Sequence, residues 1–426
     1  GAGIVGLTLV VALQRMDVDN KLDIVVYEGS DVLGEIGAGI NIWSRGWHIF
    51  KSIGLEENLI KILHEPPDGK ERLVLRYRKS DQRDGLFLED LICTDGIYRF
   101  HRGELQTTLL AQVKGDVMRF SHRLTDYEEG GKEVKLLFEN GQTSTCDVLI
   151  GSDGIKSVVR RCFLEKQKVP RSLGPEIVWS GEYAYRGLVP KAKLQEMYPG
   201  HPACTTPTMQ IITYTVSHLD LVNVVAAICD YSKEGTVFEG QASGLQCTQA
   251  ELLDAFKGWE PEVESLLKCI DQPTKWAVQV VNPLDQYASG RVVLVGDAAH
   301  AMLPHKGAGA GTGMEDAYIL ASLLTSPSCN KAEIHKVADI YDLVRCGSGN
   351  SIARESREVG RLAQLSSPGM EQYTENDRSI PLSRLEDTMR RIRDRMEWLW
   401  LTTAEPERIR ALNLLERGSK RSRAVL

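Results

Sequence analysis

The segment Gly296–Ala317, reading GDAAHAMLPHKGAGAGTGMEDA, constrains this chain more than any other stretch. A short apolar run, Arg291–Val295 (RVVLV), precedes it and reads as a buried strand. The strand delivers an acid, Asp297, into two alanines and His300. Beyond Pro304, the glycines Gly307, Gly309, Gly311 and Gly313 alternate with small residues, and a helical period with Met314, Ala317, Leu320, Ala321 and Leu324 on one face follows. A strand ending in an acid, then a glycine-rich turn opening a helix, brings bare backbone N–H groups against a ligand. The helix N-terminus there holds negative charge. Glycine clustering alone fits a tightly packed strand–loop–helix unit equally well; the acid, histidine, proline and acidic helix start favour a binding site.

The chain opens on GAGIVG, which places Gly1, Gly3 and Gly6 in G-x-G-x-x-G spacing ahead of a helical pattern from Val5 to Met16. The run Leu22–Tyr27 (LDIVVY) reads as a strand ending at Glu28, about 20 residues beyond the last glycine. An acid so placed accepts hydrogen bonds from a ribose, so the pair predicts a dinucleotide site. The strand such a fingerprint follows is expected before Gly1.

Composition narrows the partners. At net charge −7, with 42% apolar and 26% charged residues, the chain is expected to be globular and not to bind nucleic acid. Its nine cysteines are dispersed from Cys93 to Cys346 with no CxxC pair, which reads as free thiols in a reducing, cytoplasmic setting and no metal site. No apolar run approaches the roughly 18 residues a spanning helix needs, so no membrane span is expected.

Strand-rich inserts separate the nucleotide-type pieces. Leu73–Tyr77 and Leu86–Leu88 read as a hairpin turning at Asp84-Gly85; Cys146–Ile150 is a buried strand running into GSDGIKSVVR. Val178–Val189, Met209–Val216 and Leu221–Ile228 are β-branched runs, and Glu251–Leu267 is helical. The expected fold is α/β, with a discontinuous Rossmann-like cofactor domain over 1–71, 101–177 and 286–345. An antiparallel-sheet substrate domain over 72–100 and 178–285 is inserted, and 346–426 forms a helical C-terminal region.

Three motifs stand together: Gly1–Gly6 with Glu28, Asp153-Gly154 with Arg160, and Gly296–Ala317. Their order and spacing resemble the FAD-dependent aromatic hydroxylases, single-component flavoprotein monooxygenases, with the nearest likeness to the fungal salicylate hydroxylase-like branch. The resemblance covers Gly1 to about Tyr341 and implies a glutathione reductase type FAD domain. It implies that Gly1, Gly3 and Gly6 form the pyrophosphate turn, that Glu28 holds the adenosine ribose, and that Arg102 contacts the flavin side. Asp153 and Gly154 then match the second motif, tied to both FAD and the nicotinamide nucleotide. Asp297 holds the ribityl chain, and Pro304, Gly307, Gly309, Ala310 and Gly311 form the loop under the isoalloxazine. Lys306 and Thr312 depart from that family's pattern, standing where glutamine is common. A helix N-terminus at the flavin N1–C2=O edge would stabilise negative charge there by roughly 0.3–2 kcal/mol.

The resemblance further implies NADH or NADPH as a transient co-substrate, leaving no second fingerprint. O2 and a small phenolic or aromatic-acid substrate, hydroxylated by a flavin C4a-hydroperoxide, complete the expected chemistry. A salicylate-like substrate would lose carbon dioxide and give a catechol. Arg186, in AYRGLV, is an expected carboxylate or phenolate partner, and Tyr214, in ITYTV, an expected donor to substrate. Against these stand a structural ion pair and a satisfied strand tyrosine. His305 and His218 are possible phenol bases, and Lys306 a cation near flavin or substrate carboxylate. Each has a solvated or structural alternative. Trp398 and Trp400 do not share a helix face, so packing on the body or an oligomer contact, as in a homodimer, is expected of them. Competing readings are a nicotinamide dehydrogenase, an FAD-dependent epoxidase of an apolar substrate, and a non-catalytic FAD-binding interaction protein.

Overall fold

The structure is a computed structural model describing residues 1–34, 39–166, 176–204, 208–209, 211–216, 220–373 and 377–424. The opening helix, Ile4–Met16, is apolar on nearly every side and correspondingly buried. It lies against the helix Gly309–Leu324, and glycine makes that approach possible. A Cβ on Gly313 would stand 2.5 Å from a Val5 methyl, and one on Gly296 3.0 Å. Gly296 also has a φ of +62°, a conformation that favours glycine.

Two short parallel pairs lead to the acids of the motifs: Val26–Tyr27, ahead of Glu28, lies beside Met118–Arg119, and Leu149–Gly151, ahead of Asp153, lies beside Val292–Leu294, ahead of Asp297. The first is shorter than the predicted strand Leu22–Tyr27. Asp17 explains this, because its carboxylate accepts from the Lys21 and Leu22 amides at 3.0 and 2.8 Å and holds that backbone in a turn. The expected strand Cys146–Ile150 is divided: Thr143–Cys146 joins an antiparallel meander with Val134–Phe138, whereas Leu149–Gly151 enters the parallel pair.

An eight-stranded sheet forms the second body, in the order 245–246, 274–281, 177–190, 221–229, 211–216, 208–209, 71–79, 86–94. All its pairings are antiparallel except Thr208–Met209 beside Glu71–Lys79. One face buries Tyr185, Val189, Ile211, Val222, Val224 and Ala226 against Leu252, Leu266 and Leu267. The predicted helix Glu251–Leu267 is broken in two, because Pro261 starts a new helix, Pro261–Lys268. The opposite face carries Arg186, Tyr214 and Asn223 by strand alternation.

Four helices complete the described C-terminal region: Ile334–Ala363, Leu382–Met396, Trp398–Leu401 and Glu405–Ala424. They pack on the body, with Trp400 on Trp43 at 5.5 Å between ring centroids. Among the described residues no helix is long and apolar enough to cross a membrane.

Candidate active site

Gly1, Gly3 and Gly6 differ in what surrounds them. A Cβ on Gly6 would lie 2.0 Å from the Gly1 carbonyl oxygen, and one on Gly1 2.9 Å from the Ser152 carbonyl oxygen. Those two glycines are demanded by packing. Gly3 is different: a Cβ there meets none of the described residues within 4 Å, and none of their side chains caps the helix it opens. A helix start without a capping side chain keeps its first N–H groups for an anion such as a pyrophosphate. Glu28 reaches this turn, its Oε2 accepting from the Ala2 amide at 2.7 Å. Burial opposes ionisation of Glu28, but hydrogen bonds from the Ala2 and Ser30 amides outweigh it and hold the pKa below the usual range.

The second motif converges on the same place. Asp153 accepts from the Val158 and Val159 amides at 2.8 and 3.1 Å, which fixes the start of the helix Val158–Lys166. Gly154 follows with φ +76° and open space at its Cβ position. Arg160 is buried, donating to the Ala298 carbonyl at 2.9 Å and pairing with Glu176 at 3.2 Å, so it ties this motif to Gly296–His300. Asp297 itself is exposed at the start of a single helical turn.

The glycine-rich loop has a bare outer side and a tightly held inner one. Pro304 is exposed, and Gly307, Gly309, Ala310 and Gly311 are half-buried. The helix begins at Gly309, five residues earlier than the apolar period indicated, so it runs through the glycines. Its first turn contains no acid, and among the described residues no side chain caps it and none comes within 4 Å of the Gly311 Cβ position. This helix end can receive a negatively charged edge. Behind it, Trp43 Nε1 donates to the Lys306 carbonyl at 2.8 Å, and Ser356 donates to the Leu303 carbonyl at 2.6 Å. The buried Lys306 ammonium is 2.7 Å from Glu355 and 5.1 Å from the Trp398 ring. Thr312 is buried, its hydroxyl donating to the Ala308 carbonyl at 2.9 Å.

The acids Glu315 and Asp316 do not stand at the helix start. They are buried in its second turn, inside a charged network. Arg345 reaches Asp316 at 2.8 Å and Glu315 at 3.1 Å, while Arg45 reaches Glu315 at 2.7 Å and Glu407 at 2.8 Å. Asp316 also accepts from His300 at 2.6 Å and from the Gly296 amide at 2.9 Å. One carboxylate thus joins both ends of the Gly296–Ala317 segment. Burial disfavours its charge, but His300 and Arg345 overcome that and lower its pKa.

The Arg186 face of the large sheet looks toward the ribbon Gly39–Trp43, since a Cβ on Gly39 would fall 2.2 Å from the Tyr214 ring. The Arg186 guanidinium lies 4.9 Å from the Trp276 ring centroid and has no hydrogen bond or ion pair among the described residues. Burial, with Arg102 opposing Tyr214, lowers its pKa. Tyr214 is raised by burial, with Arg186 and Arg99 acting against that rise. Arg186, Tyr214, Arg99 and the exposed Arg102 therefore share one electropositive region. His305 and Lys306 are each held by an acid. His305 Nε2 donates to the Glu182 carboxylate at 2.9 and 3.0 Å, and its ring packs where a Cβ on Gly360 would stand. His218 lies outside the described residues. Arg45, Arg345, Glu182 and Asn223 were not singled out by the sequence. Only Arg345 had a signal, an arginine on the stripe of Ala338, Tyr341 and Ile352 in a long helix.

Set beside known proteins, residues 260–342 match the FAD binding domain family. Salicylate hydroxylase of Pseudomonas putida is 34% identical over 381 residues, covering 86% of each chain. The 6-methylsalicylate 1-monooxygenase of Aspergillus terreus is 27% identical, covering 97% of this chain and 91% of its own. A solved salicylate hydroxylase substrate complex superposes with TM-score 0.83 at 29% identity, covering 96% of each chain. Neither an epoxidase nor a non-catalytic protein is favoured by these relatives, and the open glycine turns and uncapped helices fit FAD. The chain belongs to the FAD-dependent aromatic hydroxylases, monooxygenases that use NAD(P)H and O2 on an aromatic substrate.

Proposed function

We propose that this enzyme hydroxylates a carboxylated phenol, with decarboxylation when the carboxylate occupies the attacked carbon, as for a salicylate-like compound giving a catechol. The observation that carries the reading is Arg186, a half-buried guanidinium without an acidic partner among the described residues. Such a cation is costly unless an anion arrives. The P. putida and A. terreus relatives, named for salicylate and 6-methylsalicylate, support the substrate class. A panel of phenolic acids and matching neutral phenols tests it: the acids should give hydroxylated product coupled to NAD(P)H consumption. Product from the neutral phenols alone would refute the carboxylate assignment.

FAD, when bound and reduced by NADH or NADPH, supplies the oxygen-activating chemistry. Gly1, Gly3 and Gly6 would hold its pyrophosphate, Glu28 a ribose and Asp297 the ribityl chain, with Arg102, Asp153 and Gly154 around it. Pro304, Gly307, Gly309, Ala310 and Gly311 would line its ring, and the uncapped helix end would hold the ring's negative edge. Arg186 binds the substrate carboxylate, and Tyr214 donates to a substrate oxygen. His305 and Lys306 act as positioning residues, joining the loop to Glu182 and Glu355 and leaving water little room behind it. Asp297→Ala should weaken FAD retention about tenfold or more. Dialysed variant protein that stays fully yellow and active would remove Asp297 from the site.

The domain division is proposed as the sequence drew it, with 1–71, 101–177 and 286–345 holding the cofactor and 72–100 with 178–285 the substrate. Free thiols at all nine cysteines favour a reducing, cytoplasmic location. A homodimer is proposed from the outer strand Leu86–Thr94, where Phe87 and Ile92 are exposed. Light scattering of the eluted protein checks it.

A further inference from the structure

The Arg186 side of the large sheet holds a polar group without a partner among the described residues. Asn223 sits in the run Leu221–Cys229, paired with Leu188 on one side and Tyr214 on the other. Its neighbours Val222 and Val224 point into the apolar core on the other face, so alternation turns Asn223 to the side of Arg186 and Tyr214. The residue is 3% exposed, and its Nδ2 has no hydrogen-bond partner among the described residues. A buried amide donor left unmet is unfavourable, whereas an apolar side chain of similar size would satisfy this position at no such cost. Fold stability therefore does not account for an asparagine here.

The surroundings indicate what the amide meets. Directly opposed residues in a sheet have Cβ atoms about 5 Å apart and diagonal ones about 7–8 Å, so Asn223 adjoins Tyr214 and lies diagonal to Arg186. The ribbon Gly39–Trp43 faces this patch through the contact of Gly39 with Tyr214, and carries a second orphan, Asn41 Oδ1, on the same side as Gly39. Arg99 pairs with Asn41 in the ribbon and acts on Tyr214 electrostatically, as Arg186 does. A buried donor in a field of arginines is suited to an anionic oxygen, not to a neutral ring.

We propose that Asn223 is a specificity-determining residue that donates its side-chain amide to the carboxylate of the aromatic substrate held by Arg186. The inference rests on the carboxylated-phenol reading and adds to it a second, uncharged recognition point. A guanidinium alone accepts an anion in several orientations; a fixed amide donor beside it selects one, and so fixes which ring carbon is presented for hydroxylation.

The test is Asn223→Leu in the FAD-loaded enzyme, with Asn223→Asp as the second variant. Removing an unmet buried donor should leave the melting temperature unchanged or raise it. KM for a phenolic acid should rise about tenfold or more, with kcat for the matched neutral phenol and its KM within about twofold of wild type. Asn223→Asp, which swaps donor for like charge, should cost the acid still more. Benzoate binding, read from the flavin absorbance, should weaken by the same factor as KM. Equal changes for acid and neutral phenol, or none for either, would overturn the proposal, as would a large fall in melting temperature of both variants. Wild-type enzyme that neither hydroxylates the acids nor binds benzoate would instead refute the carboxylated-phenol reading itself, and the assignment of Asn223 with it.

Discussion

Replacing Arg186 by alanine is expected to raise KM for a carboxylated phenol by roughly 30-fold or more, while KM for the matching neutral phenol changes less than about threefold. Removing one partner of a buried hydrogen-bonded charge pair costs about 2–5 kcal/mol, which sets that scale. The effect should be confined to carboxylated substrates because Arg186 has no acidic partner among the described residues. Its loss therefore breaks no internal ion pair, and its Trp276 contact is the packing lost. Arg186→Lys should recover only part of the affinity, since an ammonium keeps the charge but not the planar fork. Steady-state kinetics on both substrate classes decide the matter. Equal losses on acids and neutral phenols would identify a structural arginine.

The second large effect belongs to a residue distant in sequence from every motif. Arg345→Met is expected to destabilise the protein by about 3–5 kcal/mol, because it leaves Glu315 and Asp316 buried without their shared cation. Asp316 holds the Gly296 amide and His300 while sitting in the helix that the glycine loop opens. Loss of Arg345 should therefore loosen the strand end carrying Asp297 as well as the loop. FAD release and unfolding should both occur at lower temperature, measured by flavin fluorescence alongside far-ultraviolet circular dichroism. A variant that melts with wild type would show that Arg45 and His300 suffice to hold Glu315 and Asp316.

The sequence displayed the parts of the site more clearly than their division of labour. Alternation and β-branched runs showed the strands of the large sheet, and the glycine spacing showed the turns, because both depend on local geometry. What each glycine does was not local. Gly296 and Gly313 are close-packing positions against Val5, whereas Gly3 and Gly311 meet no described neighbour at their Cβ positions, and only the meeting of two helices separates them. Glu315 and Asp316 looked like an acidic helix start; their burial depends on Arg345, about thirty residues on, and on Arg45, far earlier in the chain. For His305 and Lys306 the sequence left a ligand role and a structural one open, because their partners Glu182 and Glu355 come from the large sheet and the long helix. Asn223 gave no signal at all, since one amide in an apolar run becomes informative only when its neighbours fail to satisfy it.

The most direct measurement of the central claim is turnover of salicylate by purified, FAD-loaded enzyme with NADH or NADPH under 18O2, followed by mass spectrometry of the product. Salicylate, NAD(P)H, O2 and two protons should yield catechol, carbon dioxide, water and NAD(P)+, with one labelled oxygen in the catechol and the other in water. A related phenolic acid that is better accepted should likewise gain one labelled hydroxyl. NAD(P)H consumption that yields hydrogen peroxide across the phenolic-acid panel, with no labelled aromatic product, would contradict the account.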